Sequence, residues 1–265
     1  MVNIDHYDAF CFDLDGTIFL GDEILPGAKD SVDFIRAQGK KVLFITNSPT
    51  LTRKGCQEKL ERLGVASSIE EVFTASYIAA LYFTKYFPES SVYVVGEKAI
   101  KEEFKQFSLQ LTEAPLEATH VIVGLDRSFN YEKLNAAMTA VRNGAKLIVT
   151  NPDPFCPVPG GFISDTLAIA RAIETASGHD IFKVIGKPST FYGDMILTQL
   201  NVSRERCLII GDRLETDIML GKLNAFRTCL VLTGVASHED IEKLNIFPDY
   251  IIQGLQSMFA HLLKS

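Results

Sequence analysis

The chain has 265 residues, 47% of them apolar and 22% charged, with a formal net charge of −7. This composition is ordinary for a globular protein, and the acidic balance without a basic stripe argues against a nucleic-acid binder. No apolar stretch approaches the ~20 residues of a membrane-spanning helix, and the N-terminus does not resemble a signal peptide. Five cysteines without a C-x-x-C pair indicate reduced thiols, so we expect a cytoplasmic protein.

Short apolar runs alternate with helix-like segments along the chain. The runs that predict strands are 9–12, 42–45, 92–95, 121–123, 147–149, 208–210 and 229–232. The clearest helical patterns between them are 31–38, 131–143 and 189–200, and a glycine follows each of the first two. Regular alternation of this kind is typical of parallel sheets with right-handed crossovers, and it predicts an α/β fold.

Residues 85–90 and 177–180 are two polar segments that contain residues unfavourable to helices and strands. The part of the chain between them has its own alternation of predicted strands and helices. The strand ends that carry candidate catalytic residues, described below, lie outside this part of the chain. We therefore predict a discontinuous catalytic core of residues 1–82 and 184–265, with a second α/β domain of residues 83–183 inserted into it. The alternative is a single large sheet, which would need about ten strands in one layer.

The first chemical signal is a pair of aspartates, Asp13 and Asp15, which follows the apolar run 9–12 directly. In open α/β sheets, ligands bind just beyond the carboxyl ends of the strands. A buried strand that delivers two carboxylates to that edge offers a metal ligand, a nucleophile or a proton carrier. Gly16 lets the chain turn away sharply, and Thr17 adds a hydroxyl. The simpler interpretation is a solvent-exposed Asp-Gly turn without a chemical role. The polar clusters at later strand ends argue against that interpretation.

Two later strand ends offer groups that suit an anion. The strand 42–45 runs into Thr46 and Asn47, whose hydroxyl and backbone N–H groups can hold an anionic oxygen. By itself this signal is weak, because the same residues also form ordinary turns. Lys187 follows another short apolar run, between a glycine and a proline. Its ammonium can neutralise a phosphate or a nearby carboxylate.

The fourth signal is Asp212, which follows the strand 208–210 and Gly211, with Asp217 close behind at the predicted start of a helix. A helix N-terminus stabilised by the helix dipole accounts for Asp217 but not for Asp212. Acidic groups that converge on one point repel each other unless a cation lies between them. Hard oxygen ligands of this kind suit Mg²⁺.

In this order, the four clusters resemble the motifs of phosphatases of the haloacid dehalogenase (HAD) superfamily. The matching positions, motif by motif, are 13–17, Thr46, Lys187 and 211–217. Segments similar to the NagD-like branch are 13–28, 45–48, 150–153 and 186–188. The resemblance covers nearly the whole chain, with Ser48 standing where many members carry a second asparagine. It implies a Rossmann-like, doubly wound core and a C2-type α/β cap between the second and third motifs.

The resemblance also implies a mechanism. Asp13 would attack phosphorus and form an aspartyl-phosphate, while Asp15 would protonate the leaving alcohol and then deprotonate the attacking water. The implied ligands of Mg²⁺ are Asp13, the backbone carbonyl of Asp15, and Asp212. Asp217 would lie behind these ligands and order water around the ion. The groups implied to hold the phosphoryl oxygens are Thr46, the Asn47 backbone and Lys187.

Other classes of function stay open beside a Mg²⁺-dependent phosphatase of small phosphate monoesters. A phosphotransferase or phosphomutase would pass the same phosphoryl group from Asp13 to another alcohol. A non-catalytic protein that binds a phosphorylated ligand is disfavoured, because Asp13 and Asp15 are both present. A response-regulator receiver domain does not fit the paired Asp-x-Asp-Gly-Thr. The expected partner is a small phosphorylated metabolite, without nucleic acid or membrane, and a homodimer through the cap stays open.

The substrate is open among sugar phosphates, nucleotides, pyridoxal phosphate and aryl phosphates. Caps close over such cores and contact the leaving group, which directs attention to the proline-rich run 150–157. The specificity candidates in this run are Asn151, Asp153, Phe155 and Cys156. The alternative is a stiff connecting loop without a role in binding. Cys156 is either a reactive thiol near the active site or, as is commoner, a plain buried cysteine.

Overall fold

The computed structural model of the protein describes residues 2–158 and 160–259. In chain order the strands are β1 (Ala9–Asp13), β2 (Phe19–Leu20), β3 (Glu23–Ile24), β4 (Lys41–Ile45), β5 (Val72–Phe73), β6 (Ser91–Val95), β7 (Gln110–Leu111), β8 (His120–Val123), β9 (Lys146–Val149), β10 (Phe155–Val158), β11 (Gly161–Ser164), β12 (Lys183–Val184), β13 (Cys207–Gly211), β14 (Arg227–Val231) and β15 (Tyr250–Ile252). The α-helices are α1 (Ala28–Ala37), α2 (Arg53–Arg62), α3 (Ala75–Tyr86), α4 (Lys98–Gln106), α5 (Tyr131–Arg142), α6 (Thr166–Ser177), α7 (Thr190–Leu200), α8 (Met219–Asn224) and α9 (His238–Leu244). No helix within these ranges is long and apolar enough to cross a membrane.

β1 lies inside a six-stranded sheet with the order β15-β14-β13-β1-β4-β5, in which every neighbouring pair is parallel. Successive side chains of its central strands enter two different buried clusters. Phe10, Phe12 and Phe44 belong to one cluster, and Cys11 and Ile45 belong to the other. Burial on both faces is typical of a parallel sheet that helices cover from both sides. The predicted Rossmann-like, doubly wound α/β fold is confirmed.

A second parallel sheet has the order β12-β9-β8-β6-β7. On one face, Val121 packs in a cluster with residues of α5 and α6. On the other face, Val92, Ile122 and Ile148 belong to the same buried cluster as Cys11 and other residues of the first sheet. The two sheets therefore share apolar packing. Helix α3 crosses the predicted boundary between the two domains, and the division into core and inserted domain stays a prediction.

The segments with the predicted chemistry emerge at one edge of the first sheet. β1 ends at Asp13, which lies opposite Ile45 at the end of β4, and β13 ends at Gly211 on the other side of β1. Neighbouring parallel strands end at the same edge, so the residues that follow them converge there. Two antiparallel hairpins, β2–β3 and β10–β11, extend the chain beyond the sheets.

Candidate active site

A buried lysine joins two of the predicted aspartates. The Nζ atom of Lys187 lies 2.5 Å from Oδ1 of Asp13 and 2.6 Å from Oδ1 of Asp217. Burial by itself would lower the pKa of Lys187, but the two carboxylates outweigh it and hold the pKa above its ordinary value. Lys187 therefore stays charged, and it joins the end of β1 to the segments that follow β12 and β13.

Three buried carboxylates lie close to this ammonium. Oxygen atoms of Asp13, Asp212 and Asp217 all lie within 4.8 Å of one another. Burial raises the pKa of Asp13 well above its ordinary value; Lys187 opposes the rise, and the other two carboxylates add to it. Burial and the neighbouring Asp217 also raise the pKa of Asp212. Both shifts have one cause beside burial: three carboxylates around a single ammonium repel one another, which disfavours their charged forms.

The donor set of this cluster fits a hard divalent cation. When all three carboxylates are ionised, they and the ammonium leave two negative charges, which Mg²⁺ would balance. The backbone also orients Asp212, because the N–H of Val235 donates to its Oδ2 at 2.7 Å. A Cβ atom on Gly16 or Gly234 would come within 2.6 Å or 1.9 Å of that same oxygen. Both glycines are therefore needed for the carboxylate to lie where it does.

Asp15 lies at the same edge, partly exposed, and lines the cavity described below. Burial raises its pKa, against the opposing charges of Lys59 and Lys187. A raised pKa is what a carboxyl group needs to donate a proton near neutral pH.

The turn after β4 makes contacts that the sequence analysis did not predict. Oγ1 of Thr46 accepts a hydrogen bond from the N–H of Ser48 at 3.0 Å. The side chain of Asn47 binds the backbone of Lys187 on both sides: Oδ1 accepts from its N–H at 2.8 Å, and Nδ2 donates to its carbonyl oxygen at 3.2 Å. The prediction considered only the backbone of Asn47. No local pattern indicates this clamp, because its partner lies 140 residues away.

These groups surround a cavity of about 200 Å³. The predicted residues that line it are Asp13, Asp15, Thr46, Asn47, Asp153, Phe155, Cys156, Lys187, Asp212 and Asp217. Lining residues that the sequence analysis did not single out include Leu125, Arg127, Asp165 and Arg213. The predicted candidate Asn151 is not among the lining residues; its side chain is fully buried and donates to Asp153 from Nδ2 at 2.9 Å. Loops that follow strands of both sheets, together with the β10–β11 hairpin, thus contribute to the cavity wall.

The segment that was predicted as a specificity loop or a stiff connector includes a strand. Residues 155–158 form β10, which pairs with β11 to make a hairpin. Phe155 is 39% exposed, and its ring lies 5.2 Å from that of Phe162. Burial, with the neighbouring carboxylates of Asp15 and Asp165, raises the pKa of Cys156 to about 12. Cys156 is therefore a thiol at neutral pH, and the thiolate of a reactive cysteine is disfavoured there.

Asp217 lies, as predicted, where a helical segment begins, and the structure adds the form of that segment. The segment Leu214–Ile218 forms a π-helical turn that leads into α8. This turn places Asp217 beneath the end of β13, where a Cβ on Gly211 would lie 2.2 Å from the carboxyl carbon of Asp217. The carboxylate contacts Lys187 directly, which the spacing alone did not indicate.

Comparisons with known proteins agree on one family. Residues 10–110 match a family model described as haloacid dehalogenase-like hydrolase, and residues 184–258 match a second described as HAD-hydrolase-like. The sugar-phosphatase AraL of Bacillus subtilis is 33% identical, over 93% of this chain and 90% of its own. The p-nitrophenyl phosphatase from Archaeoglobus fulgidus has a TM-score of 0.90 at 30% identity, covering 97% of this chain and 99% of its own.

Two further solved structures are similar. NagD from Escherichia coli K-12 has a TM-score of 0.86 at 30% identity, over 95% of this chain and 98% of its own. The glycerol phosphate phosphatase from Mycobacterium tuberculosis, solved in complex with magnesium, has a TM-score of 0.88 at 29% identity, over 96% of this chain and 77% of its own.

Proposed function

The chain belongs to the haloacid dehalogenase-like hydrolases as a NagD-like phosphatase, and on that premise we propose that it hydrolyses small phosphorylated sugars with Mg²⁺ as cofactor. The observation that carries the proposal is the buried Lys187, which binds Asp13 and Asp217 beside Asp212 in a cavity that the β10–β11 hairpin also lines. The names of the relatives, which include sugar phosphatases, support the substrate class.

The proposed chemistry has two steps. A carboxylate oxygen of Asp13 attacks phosphorus, and the bond from phosphorus to the leaving alcohol breaks as Asp15 gives that oxygen its proton. Asp15 then takes a proton from a water molecule, whose oxygen attacks the aspartyl-phosphate and breaks its bond to Asp13. Inorganic phosphate leaves. Lys187 stays protonated throughout and stabilises the negative charge of the transferring group.

The proposed holders of Mg²⁺ are Asp13, Asp212 and the backbone carbonyl of Asp15. When bound, the ion would neutralise charge on the phosphoryl oxygens and on the carboxylates around them. We assign Asp217 a different task. Because its Oδ1 accepts from Lys187 at 2.6 Å, it holds the ammonium beside Asp13.

We further propose that residues 83–183 act as a cap over the core. Phe155 and Cys156, which belong to the proposed cap, line the same cavity as Thr46 and Lys187, which belong to the proposed core. In this arrangement the core would bind the phosphoryl group that all substrates share. The wall from the proposed cap, which includes the β10–β11 hairpin, would contact the part that differs between substrates.

The test is phosphate release from a panel of sugar phosphates, nucleotides, pyridoxal phosphate and p-nitrophenyl phosphate. We expect turnover of sugar phosphates that EDTA abolishes and added Mg²⁺ restores. Full activity in metal-free buffer would contradict the cofactor. Turnover confined to nucleotides or pyridoxal phosphate would contradict the substrate class, and transfer to an added alcohol in preference to water would favour a phosphotransferase.

A further inference from the structure

Asp153 is a buried carboxylate that links the second sheet to the core. It lies in the segment between β9 and β10, and 7% of its surface is exposed. Its Oδ2 accepts hydrogen bonds from Nδ2 of Asn47 and from Nδ2 of Asn151, each at 2.9 Å. Its Oδ1 accepts from Nη1 of Arg213 at 2.6 Å. Two of these donors belong to the loops after β4 and β13, and one belongs to its own segment.

These contacts leave Asp153 poorly suited to bind a substrate. A carboxylate accepts about four hydrogen bonds, and three well-formed ones already come from protein groups here. Its charge is matched by Arg213, whose side chain is 12% exposed. To hold a substrate hydroxyl, Asp153 would have to give up contacts that are buried and in part charge-assisted, which is costly.

The contact between Asp153 and Asn47 connects Asp153, through the backbone of Lys187, to Asp13. The amide of Asn47 has one correct orientation, with Oδ1 toward the N–H of Lys187 at 2.8 Å and Nδ2 toward its carbonyl oxygen at 3.2 Å. Asp153 can only accept from this amide, so it favours the orientation in which Nδ2 points toward it. That orientation holds the backbone of Lys187, whose Nζ contacts Asp13.

The contact between Asp153 and Arg213 connects Asp153 to Asp217 and to the β10–β11 hairpin. Arg213 also donates from Nη2 to the carbonyl oxygen of Phe155 at 3.1 Å, and its guanidinium carbon lies 5.2 Å from the centre of the Phe155 ring. Its backbone N–H donates to Oδ2 of Asp217 at 3.2 Å. One buried carboxylate is thus connected to the segments that carry Lys187 and Asp217, and through Arg213 to the exposed aromatic of the hairpin.

We propose that Asp153 is a positioning residue for Lys187, acting through the side chain of Asn47, and that it does not select the substrate. The inference rests on the proposed phosphatase function of the same cavity. It assigns Asp153 to the machinery that serves every substrate alike. Selection of the leaving group then belongs to other residues of the wall.

The test compares two substitutions of one type. Asp153→Asn replaces one acceptor oxygen by an NH₂ group, which must face either Arg213 or the two asparagines, so one side of the network breaks. The matched control is Asp126→Asn. Asp126 is also buried, but its carboxylate is bound by Lys133 and Ser128 within the second-sheet part of the chain. The wild type and both variants are assayed with Mg²⁺ on p-nitrophenyl phosphate and at least three sugar phosphates, with thermal unfolding measured in parallel.

For D153N we expect kcat to fall about 10- to 100-fold by a common factor for every substrate, as for other residues that orient a group in contact with the reaction. KM should change by less than about threefold, and D126N should behave as the wild type. If D153N does not fold, D153E replaces it, because it keeps the charge and displaces the carboxylate. A changed ranking of substrates, or an unchanged kcat in folded D153N, would overturn the proposal.

A double-mutant cycle tests whether Asp153 acts on Lys187 through the side chain of Asn47. Adding D153N to Asn47→Ala should cost little more than Asn47→Ala alone, because Asp153 would act through a side chain that is already gone. If the losses in kcat of the two single variants multiply in the double variant, Asp153 acts through another residue, and the proposal is overturned. Failure of the proposed function is a separate result, since it would be seen in the wild type as absence of turnover on the sugar phosphates.

Discussion

Lys187 places its ammonium 2.5 Å from the carboxylate of Asp13, although 174 residues separate them in the chain. Both side chains are nearly inaccessible, with 2% and 9% of the side-chain surface exposed. A buried ion pair needs further partners to repay the loss of hydration, and here Asp217 supplies one. Folding therefore places a positive charge beside Asp13, where the proposed mechanism puts the phosphoryl group, before any substrate binds.

Removal of the ammonium should weaken catalysis and folding together. For Lys187→Met we expect kcat to fall about 10²- to 10³-fold on every substrate, because a preorganised charge is lost. Three buried carboxylates would then repel each other, so Tm should fall more in EDTA than with Mg²⁺. Thermal unfolding with and without metal checks this. Lys183→Met, in β12 and away from the cavity lining, is the control. An equal loss of Tm in both buffers would contradict the charge argument.

Substitution of Asp13 should abolish activity on every substrate, whereas the effect of substituting Asp15 should depend on the leaving group. Asp13→Asn should remove essentially all turnover while the circular dichroism spectrum stays unchanged, because an amide is not a nucleophile toward phosphorus. Asp15→Asn should cost more with a sugar phosphate than with p-nitrophenyl phosphate, since nitrophenolate leaves without a proton. Steady-state kcat/KM for both substrates gives the comparison. Equal losses on the two substrates would count against Asp15 as the general acid.

The hairpin aromatic should affect selection among substrates. Phe155→Ala removes an exposed ring from the cavity lining, so we expect it to reorder kcat/KM values across the panel and leave the Mg²⁺ dependence unchanged. Phe182→Ala is the matched control, because Phe182 is 50% exposed and is not among the lining residues of this cavity. If Phe155→Ala scales every substrate by one factor, the hairpin serves as scaffold and other wall residues select the substrate.

The thiol of Cys156 should be slow to alkylate. Burial raises its pKa to about 12, with Asp15 and Asp165 adding to the rise, so the reactive thiolate is scarce at pH 8. The rate of iodoacetamide labelling should rise tenfold with each unit of pH up to at least pH 9. Mass spectrometry of the peptide that contains Cys156, compared with a small model thiol, measures this. A rate that levels off between pH 6 and 8 would show a lowered pKa.

Glu103 should make stability depend on pH. Its Oε1 accepts from the N–H of Arg53 at 2.6 Å, and its Oε2 is buried without a hydrogen-bond partner in the described part of the chain. Burial raises the pKa of Glu103, against the opposing Arg53. The folded state therefore favours the protonated form, and stability falls as pH rises through the raised pKa. Glu103→Gln should raise Tm relative to the wild type at pH 8, with the difference disappearing below pH 4.

Glu103→Ala completes that experiment. It should cost about 1–3 kcal/mol of unfolding free energy below pH 4, because the Arg53 N–H loses its acceptor in a partly buried place. The cost should be smaller at pH 8, where the charged Glu103 already destabilises the wild type. A Tm difference between the wild type and Glu103→Gln that does not vary with pH would contradict the raised pKa.

The sequence by itself determined the layout of the fold and the residues at the ends of its strands. Apolar runs of three or four residues between helical patterns are a local signal, and the strands at 41–45, 207–211 and 227–231 lie where those runs are. A polar residue that directly follows such a run lies at the carboxyl edge of a parallel sheet. This local rule is sufficient to place Asp13, Thr46 and Asp212 at one edge.

Only the tertiary structure decided how those residues are connected. The clamp of Asn47 on Lys187 and the pair of Arg213 with Asp153 join positions 140 and 60 residues apart. The direct contact of Asp217 with Lys187 depends on a π-helical turn that spacing does not indicate. Side-chain contacts of this kind depend on how two sheets pack, and packing is a property of the whole chain that no local run of residues encodes.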